Sequence, residues 1–508
     1  MKKKLLLIAL TLIFILTGCQ GGKDADTSTF TVAVSADATS LDPTNFNDNY
    51  SENVMKQIFD TILQKSSDGT LVNGIAESLE KPDDKTLVVK IRDGVKFSNG
   101  DPLTVEDVIF SLKRAAESDQ YGYIYKNVDK DNLRKIDDKT LEIKLTEPDA
   151  TILEALAHPA SSIISQKDVE EKGEKFGENP IGTGPFVLDK WTKLDSITFK
   201  VNENYWGDKP SIKHLVFKVI PEASQRIIEL ESGSVDMAFD IAPNDIKKVE
   251  ENPELKLERT LDNSVHFVSF NTVKPPFDNP KARLALTKAI DMDTIVKTVY
   301  QGVGRRATSN VNPNFKYSIA DSIEPTKVDK EEAKKLFAEA GMTEGTTIKI
   351  YVNDNQQRND VAQMMKEQLT EYGINLEIVK LEWGAMVEAI KNKENDLFIM
   401  SWTPSAVDTH YEFYQPFHSD GKGNGPNFND FGNPALDVLI DAGVREFDDA
   451  KRGAIYKEAQ ELVNKELPWM YICYGETVVG MKKNVTGFEI APTYAQRFAK
   501  IGFEAVEK

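Results

Sequence analysis

The chain has 508 residues, of which 40% are hydrophobic and 9% aromatic, enough for a large buried core or for more than one lobe. Asp and Glu outnumber Lys and Arg by 81 to 62, and the formal net charge of −19 argues against nucleic acid or anionic lipid as the main partner. Only two cysteines occur, Cys19 and Cys473, so a disulfide framework is excluded unless these two pair.

The first 18 residues have the pattern of a signal peptide. Three lysines precede an apolar run from Leu5 to Leu16, which is shorter than the roughly 20 residues of a membrane-spanning helix. The run ends in Leu16-Thr17-Gly18-Cys19, which resembles a bacterial lipobox, a signal in which the cysteine is lipidated after cleavage. An ordinary signal peptide with an incidental cysteine is the alternative. Residues 19–29 fit a flexible tether, so we expect Cys19 to anchor the protein at the extracytoplasmic face of the cell membrane.

Alternating hydrophobicity predicts strands in the first part of the chain, at Phe30–Ser35, Thr86–Ile91 and Thr140–Leu145. Thr104, with Asp107 three residues later, has the spacing of a capping box, and apolar residues at helical spacing continue to Ala116. We therefore predict a helix that starts after Thr104.

The second part of the chain alternates strands with helices. Strands are predicted at Thr347–Val352, Leu376–Leu381 and Leu397–Ser401, and the helices between them at Val361–Tyr372 and Gly384–Asn392. This order predicts a largely parallel sheet covered by helices, an α/β fold. Two more helices are predicted at Asn433–Ala442 and Ala450–Lys465. Strands from about Tyr471 would then return the end of the chain to the first lobe.

Ligands of open parallel sheets bind beyond the carboxyl ends of the strands, and two predicted loops lie there. One carries Arg358, and the other carries Ser405, Asp408 and His410 among several aromatic residues. A guanidinium can clamp a carboxylate, and a carboxylate can hold an ammonium. Aromatic walls can pack varied side chains, so the two loops fit a zwitterion such as a peptide. The alternatives are that Arg358 is a solvated residue at a helix start and Asp408 a turn former.

Signatures of catalysis are absent from the sequence. It contains no Walker A motif, no H-E-x-x-H and no G-x-S-x-G. His410 and His418 lie near each other, so a metal or metal-chelate contact there is an alternative to simple packing. Cys473 follows an apolar run without a nearby base, which indicates a buried, inert thiol. We expect no enzyme activity, no cofactor and no resident metal.

Three separated segments resemble the extracellular solute-binding proteins of peptide ABC transporters, a family with oligopeptide-, dipeptide-, nickel- and glutathione-binding members. They are Ile91–Ala115, Asn179–Gly207 and Phe270–Ile290. The resemblance runs from about Phe30 to the C-terminus and implies a two-lobed periplasmic-binding-protein-like α/β fold of type II, with the ligand in the interlobe cleft. It implies a first lobe over 30–269 plus 474–508, with an extra subdomain at roughly 51–178, and a second lobe over 270–473.

The resemblance also implies roles for individual residues. Many peptide-binding members grip the ligand amine with an Asp three residues after the tryptophan that matches Trp402. Here that place is Ser405, and the nearest acid is Asp408. Arg358 matches the carboxylate-clamping arginine of dipeptide-binding members. Thr183 belongs to a Gly-Thr-Gly-Pro turn that lies near the ligand crevice in the family, and a turn needed only for folding is the alternative.

The segments 155–165 and 275–280 look closest to the glutathione-binding branch, as does the Trp-x-x-Ser spacing. Glutathione carries two carboxylates, so Arg305, next to Arg306, is a second candidate anionic anchor; a solvent-facing basic pair is the alternative. Asp408-Thr409-His410 is similar to the Asp-Pro-His of nickel- and metallophore-binding members, with threonine in place of proline.

The resemblance implies a monomeric receptor that captures short peptides or glutathione and delivers them, by cleft closure, to the permease of an ABC importer with its ATPase subunits. The alternatives are a receptor for a nickel or other metal chelate, and an extracellular peptide-processing enzyme.

Overall fold

The computed structural model of the protein describes residues 27–46, 48–404, 406–423 and 427–504. The predicted signal peptide, Cys19, most of the predicted tether and Ser405 lie outside these residues. Within the described part, none of the helices combines the length and the apolar character that crossing a membrane requires.

The elements are labelled in chain order within the described residues. The strands are β1 Thr29–Val34, β2 Leu63–Lys65, β3 Leu71–Asn73, β4 Ala76–Asp83, β5 Thr86–Ile91, β6 Arg134–Lys135, β7 Thr140–Lys144, β8 Phe186–Thr192, β9 Ser196–Val201, β10 His214–Val219, β11 Met237–Ala238, β12 Leu255–Phe270, β13 Arg305–Arg306, β14 Thr347–Val352, β15 Asn375–Lys380, β16 Leu397–Trp402, β17 Trp469–Lys482, β18 Val485–Thr486 and β19 Gly502–Phe503. The α-helices are α1 Asn49–Ile58, α2 Val105–Ala116, α3 Ile152–Ala155, α4 Gln166–Lys172, α5 Ala223–Glu231, α6 Pro243–Glu251, α7 Pro280–Ala289, α8 Met292–Tyr300, α9 Lys330–Glu339, α10 Gln356–Leu369, α11 Trp383–Lys391, α12 Tyr414–Phe417, α13 Pro434–Arg445 and α14 Asp449–Glu466. Short 3-10 helices are Gly122–Tyr125, Pro159–Ser161, Gly173–Glu178, Ala320–Ser322, Thr370–Tyr372, Thr409–Glu412 and Ser419–Gly421.

One large sheet runs through the molecule in the order β15-β14-β16-β12-β17-β11-β1-β10-β9-β8, and β13 adds to β17. A separate four-stranded sheet, β4-β5-β7-β6, packs into the same hydrophobic core as β1 and β10. The fold is therefore the two-lobed, mixed α/β architecture that the sequence predicted.

The long antiparallel strands β12 and β17 pair with each other and run from the cores of one lobe to those of the other. The register of the pair is interrupted between Leu261 and Val265. Leu255 packs into a core of the first lobe, whereas Val265 packs into a core of the second lobe. Phe270, near which the sequence predicted the crossover, is buried in a core that also contains Ile348 and Ile350.

The alternating strands and helices of the second lobe are confirmed, since β14 pairs in parallel with both β15 and β16. The predicted start of α10 at Val361 is wrong, because the helix begins at Gln356. Its N-cap is Asn355, whose side chain accepts a hydrogen bond from the Arg358 backbone N–H and so starts the helix earlier. In the first lobe, the predicted capping box of Thr104 and Asp107 is confirmed at the start of α2.

Candidate ligand-binding cleft

A cleft of about 1350 Å³ lies between the two lobes. Its floor is formed by β12 and β17, at Thr260, Asp262 and Thr477. The first lobe contributes α1, the chain around the 3-10 helices at 122–125 and 159–161, and residues 491–497 near the C-terminus. The facing wall from the second lobe is formed by Asn314, Phe315, Lys316, Thr403, Pro404, Ala406, Val407 and Gln415.

Helix α1 forms the charged wall of the first lobe. Asp48 caps it by accepting a hydrogen bond from the Ser51 backbone N–H, and its apolar face is buried through Val54. On the cleft side the helix presents Glu52 and Lys56. Burial raises the pKa of the Glu52 carboxyl above its ordinary value, and it lowers the pKa of Lys56 to about 8.

The C-terminal segment is strapped onto α1 by side-chain hydrogen bonds. The Gln57 side chain donates to the Gln496 carbonyl at 2.7 Å and accepts from the Phe498 N–H at 3.1 Å. Gln496 also donates its N–H to the Asn53 side chain at 3.0 Å. These contacts join two segments that are far apart in the sequence, and they bring Arg497 to the cleft wall.

A buried carboxylate behind this wall fixes Arg497. Asp60 accepts hydrogen bonds from Arg497 at 2.5 Å, from the Trp206 indole at 2.8 Å and from the Gln64 amide at 2.8 Å. Its backbone N–H donates to the hydroxyl of Thr183 at 3.2 Å. Thr183 is fully buried and therefore supports the cleft from behind rather than lining it.

The glycines beside Thr183 are needed for close packing. The backbone at Gly182 and Gly184 is not in the positive-φ region, so backbone freedom does not explain these glycines. A Cβ on Gly184 would lie 2.6 Å from the carbonyl carbon of Ile58, at the end of α1, and one on Gly182 would clash with the Ile58 oxygen. The turn therefore lets two backbones approach each other and so seats α1.

Lys65 connects the two lobes at the cleft mouth. Its ammonium is 2.7 Å from Glu154 in the first lobe and donates to the Val407 carbonyl of the second lobe at 3.3 Å. Burial raises the pKa of Glu154 to about 7 despite the neighbouring lysine.

Arg358 lies at the carboxyl edge of the second-lobe sheet, outside the lining of the cleft. Its guanidinium donates to the Asn353 side chain at 3.1 Å and to the Ser401 hydroxyl at 3.2 Å, and it lies over the Trp383 ring. No carboxylate of the described residues forms an ion pair with it, and burial lowers its pKa. Trp402 ends the strand beside it and packs into the second-lobe core, while the next two residues line the cleft.

Asp408 and His410 are buried behind the cleft wall. Both Asp408 oxygens are held by Arg452, at 2.9 and 3.0 Å, and one of them also accepts the backbone N–H of His410. An acid with this bidentate partner has little capacity left for a ligand ammonium. His410 stacks on Tyr414, and burial lowers the pKa of its imidazole to about 3.

The arginine pair of the sequence prediction is also engaged elsewhere. Arg305 forms an exposed ion pair with Asp321 at 2.9 Å. Arg306 contacts Asp293 at 3.0 Å and donates to the Tyr471 carbonyl at 2.7 Å. Neither arginine lines the cleft.

The part of the chain that the structure describes offers no metal-binding cluster. No group of three His, Cys, Asp or Glu side chains there could hold a metal ion. Cys473 is buried, and burial raises the pKa of its thiol to about 12, so the thiolate nucleophile is not formed near neutral pH.

Sequence reasoning missed the charged residues that line the cleft from the first lobe. Glu52, Lys56 and Arg497 come together through the contact between α1 and the C-terminal segment, which are about 440 residues apart in the chain. One signal was present for α1, because Asp48 precedes the helix as a typical N-cap residue.

Comparisons with known proteins agree with this architecture. Residues 70–424 match the family described as bacterial extracellular solute-binding proteins, family 5 Middle. Glutathione-binding protein GsiB of Escherichia coli O157:H7 is 30% identical over 476 residues, which are 91% of this chain and 92% of GsiB.

Solved structures have the same fold. The ABC transporter-associated periplasmic binding protein DppA from Helicobacter pylori, in complex with peptide STSA, is 25% identical with a TM-score of 0.82, covering 94% of this chain and 98% of that one. NikA from Staphylococcus aureus in complex with Ni(L-His)2 has a TM-score of 0.78 at 23% identity, covering 94% and 100%, and shows the fold alone.

Proposed function

Because this chain belongs to family 5 of the bacterial extracellular solute-binding proteins, we propose that it captures short peptides, glutathione among them, for an ABC importer. It then delivers the ligand to the membrane permease, which works with its ATPase subunits. The relatives named above for glutathione and for a bound peptide support this ligand class.

The observation that carries the proposal is the interlobe cleft. Its volume of about 1350 Å³ exceeds the roughly 300–1000 Å³ of common small-molecule pockets and accommodates a peptide. The walls combine aromatic surface, such as Tyr121 and Phe315, with charges of both signs. This combination suits a zwitterion whose side chains vary.

Contacts between the lobes support closure as the delivery mechanism. The Ala150 N–H donates to the Val444 carbonyl at 2.7 Å, and Lys126 lies 4.4 Å from the centre of the Tyr414 ring. Tyr411 of the second lobe is buried against the core of the first. A ligand that bridges both walls adds to these contacts and so favours the closed state.

Two of the predicted site residues enter the proposal as ligand contacts. The charge of Arg358 has no ion-pair partner among the described residues and lies beside the end of β16, which leads to Thr403 and Pro404. We therefore propose that Arg358 binds the carboxylate of a ligand that extends past Pro404. Ser405 would contact the ligand from the same loop. Thr183, Trp402, Asp408 and His410 would support the walls, and Arg305 is left out because Asp321 holds it.

We also propose that the protein is located at the cell membrane and does not catalyse a reaction. Lipidation of Cys19 would tether a monomeric receptor to the outer face of the cell membrane, without a role for nucleic acid or for a cofactor. The anchoring is tested by replacing Cys19 with serine, which should move the protein from the membrane fraction to the soluble fraction.

A thermal-shift panel on the lipid-free protein tests the ligand class. Reduced glutathione and short peptides should raise the melting temperature, since a ligand at 100 times its Kd adds about 2.7 kcal/mol. Peptides recovered after incubation should be intact by mass spectrometry. A shift with nickel–histidine alone would contradict the proposal and favour the metal-chelate alternative, whose candidate ligand His410 lies behind the wall.

A further inference from the structure

One wall of the cleft carries two side chains of opposite charge that do not pair with each other. Glu52 and Lys56 are one helical turn apart on α1, and both line the cleft. A glutamate followed four residues later by a lysine normally stabilises a helix by pairing along its surface. Here the Lys56 ammonium instead donates to the Ala495 carbonyl of the C-terminal segment at 2.9 Å.

Neither charge forms a close ion pair among the described residues, although the two act on each other electrostatically across one helical turn. The Glu52 carboxylate accepts no hydrogen bond there, and the carbonyl dipole of Ala495 is the one polar partner of the Lys56 ammonium. Partial burial makes both charges costly, which the raised pKa of Glu52 and the lowered pKa of Lys56 reflect. Other basic groups of the cleft are in ion pairs: Lys65 with Glu154, Arg497 with Asp60 and Lys316 with Asp449.

We propose that Glu52 and Lys56 together bind a free α-amino-acid group of the ligand, with the ammonium on Glu52 and the carboxylate on Lys56. The ligand class that presents this group is a γ-linked peptide, such as the γ-glutamyl end of glutathione. The inference rests on the proposed function and narrows it from short peptides to those with a γ-glutamyl group.

The spacing of the two charges separates γ-linked from α-linked peptides. In a γ-glutamyl peptide the ammonium and the carboxylate are attached to one carbon atom. In an extended α-linked tripeptide the two termini are roughly 10 Å apart. Side chains one helical turn apart have Cβ atoms about 5–6 Å from each other, which suits the first arrangement.

The wall is preorganised for this task. α1 is held to the C-terminal segment through Gln57, which donates to the Gln496 carbonyl and accepts from the Phe498 N–H. Because Gln57, which makes these contacts, is adjacent to Lys56, the backbone of this wall needs little further ordering when the ligand binds.

Two isomeric ligands test the inference by calorimetry under reducing conditions. They are γ-Glu-Cys-Gly and α-Glu-Cys-Gly, which have the same atoms and differ in linkage. The wild type should bind the γ isomer at least tenfold more tightly. Glu52→Gln and Lys56→Gln should each lose at least tenfold for the γ isomer and change the affinity for the α isomer less than twofold.

Matched controls are available on α14, where Lys457 and Glu461 form an exposed pair one turn apart. Lys457→Gln and Glu461→Gln change the charge equally and should leave both affinities unchanged. N-acetylated γ-Glu-Cys-Gly adds a test that does not depend on the folding of a variant. The wild type should discriminate against it at least tenfold, and Glu52→Gln should not.

The outcomes distinguish this inference from the proposed function. Equal wild-type affinities for the two isomers would overturn the γ-glutamyl assignment and leave peptide capture intact. If Glu52→Gln discriminated against N-acetylated γ-Glu-Cys-Gly as strongly as the wild type does, the γ-glutamyl assignment would also be overturned. Failure to bind either isomer or any short peptide would overturn the proposed function itself.

Discussion

Replacement of Asp408 by asparagine should destabilise the second lobe and leave ligand affinity unchanged. In the sequence, Asp408 is the acid nearest to Ser405, which stands where many peptide-binding members carry the amine-binding Asp. The structure instead gives both of its oxygens to Arg452, and the two side chains are each 8% exposed. Asp408→Asn keeps the shape and one acceptor but removes the charge that compensates the arginine.

The expected loss follows from the buried cation that remains. Although burial by itself would lower it, Asp408 holds the pKa of Arg452 above its ordinary value. Breaking such a pair from one side costs about 3–5 kcal/mol. Arg452 keeps a hydrogen bond of 2.9 Å to the Gly443 carbonyl, which favours the lower end of that range. The melting temperature of a unit of about 150–250 residues shifts by about 2–4 °C for each kcal/mol of stability. The melting temperature of Asp408→Asn should therefore fall by about 6–12 °C.

Differential scanning calorimetry measures the stability, and titration of the folded protein measures the affinity. The double variant Asp408→Asn with Arg452→Met removes the unpaired charge and should recover part of the lost stability. If Asp408→Asn melted within about a degree of the wild type and lost ligand binding, the acid would contact the ligand and the assignment made here would be refuted.

Three further predictions concern other parts of the molecule. Arg358→Ala should weaken peptide or glutathione binding at least tenfold in calorimetry, because it leaves a ligand carboxylate unpaired; unchanged affinity would remove it from the site. Tyr411→Ala should enlarge the radius of gyration of the unliganded protein in X-ray scattering and weaken binding, since the ring is buried against the first lobe; identical scattering would contradict this role. Burial lowers the pKa of His266 to about 4, so its contribution to stability is present above pH 6.5 and is lost as the pH falls towards 4. Between pH 6.5 and 5 the wild type should therefore lose up to about 1.4 kcal/mol per pH unit more than His266→Gln in urea unfolding, and parallel losses would contradict the prediction.

Most of the fold could be predicted because the second lobe is built from local patterns. The strands β14, β15 and β16 have strong hydrophobic periodicity, and their parallel pairing follows from the helices between them. The crossing from one core to another near Val265 could not be found in this way. β12 is one continuous strand, and its transfer from one core to the other depends on which distant side chains cover it.

The candidate site was predicted less well than the fold. Asp408 was recognisable as an acid in a loop, but its partner Arg452 is 44 residues away and becomes its neighbour only through the packing of α14. Glu52 and Lys56, in contrast, were not recognisable as site residues from the sequence. Their spacing is that of an ordinary surface pair. They form part of the cleft wall because the C-terminal segment packs on one side of α1 and its Ala495 carbonyl accepts a hydrogen bond from Lys56.

The charged groups proposed to contact the ligand also constrain its net charge. Glu52, Lys56 and Arg358 are the groups for which the proposals require a partner from the ligand, and together they carry a net charge of +1. An α-linked peptide with neutral side chains has one ammonium and one carboxylate, and it would leave one of the three without a partner. Glutathione has one ammonium and two carboxylates, which matches all three groups. Removal of its glycine carboxylate, as in the amide, should therefore weaken binding to the wild type but not to Arg358→Ala, and equal weakening in both proteins would separate Arg358 from the ligand.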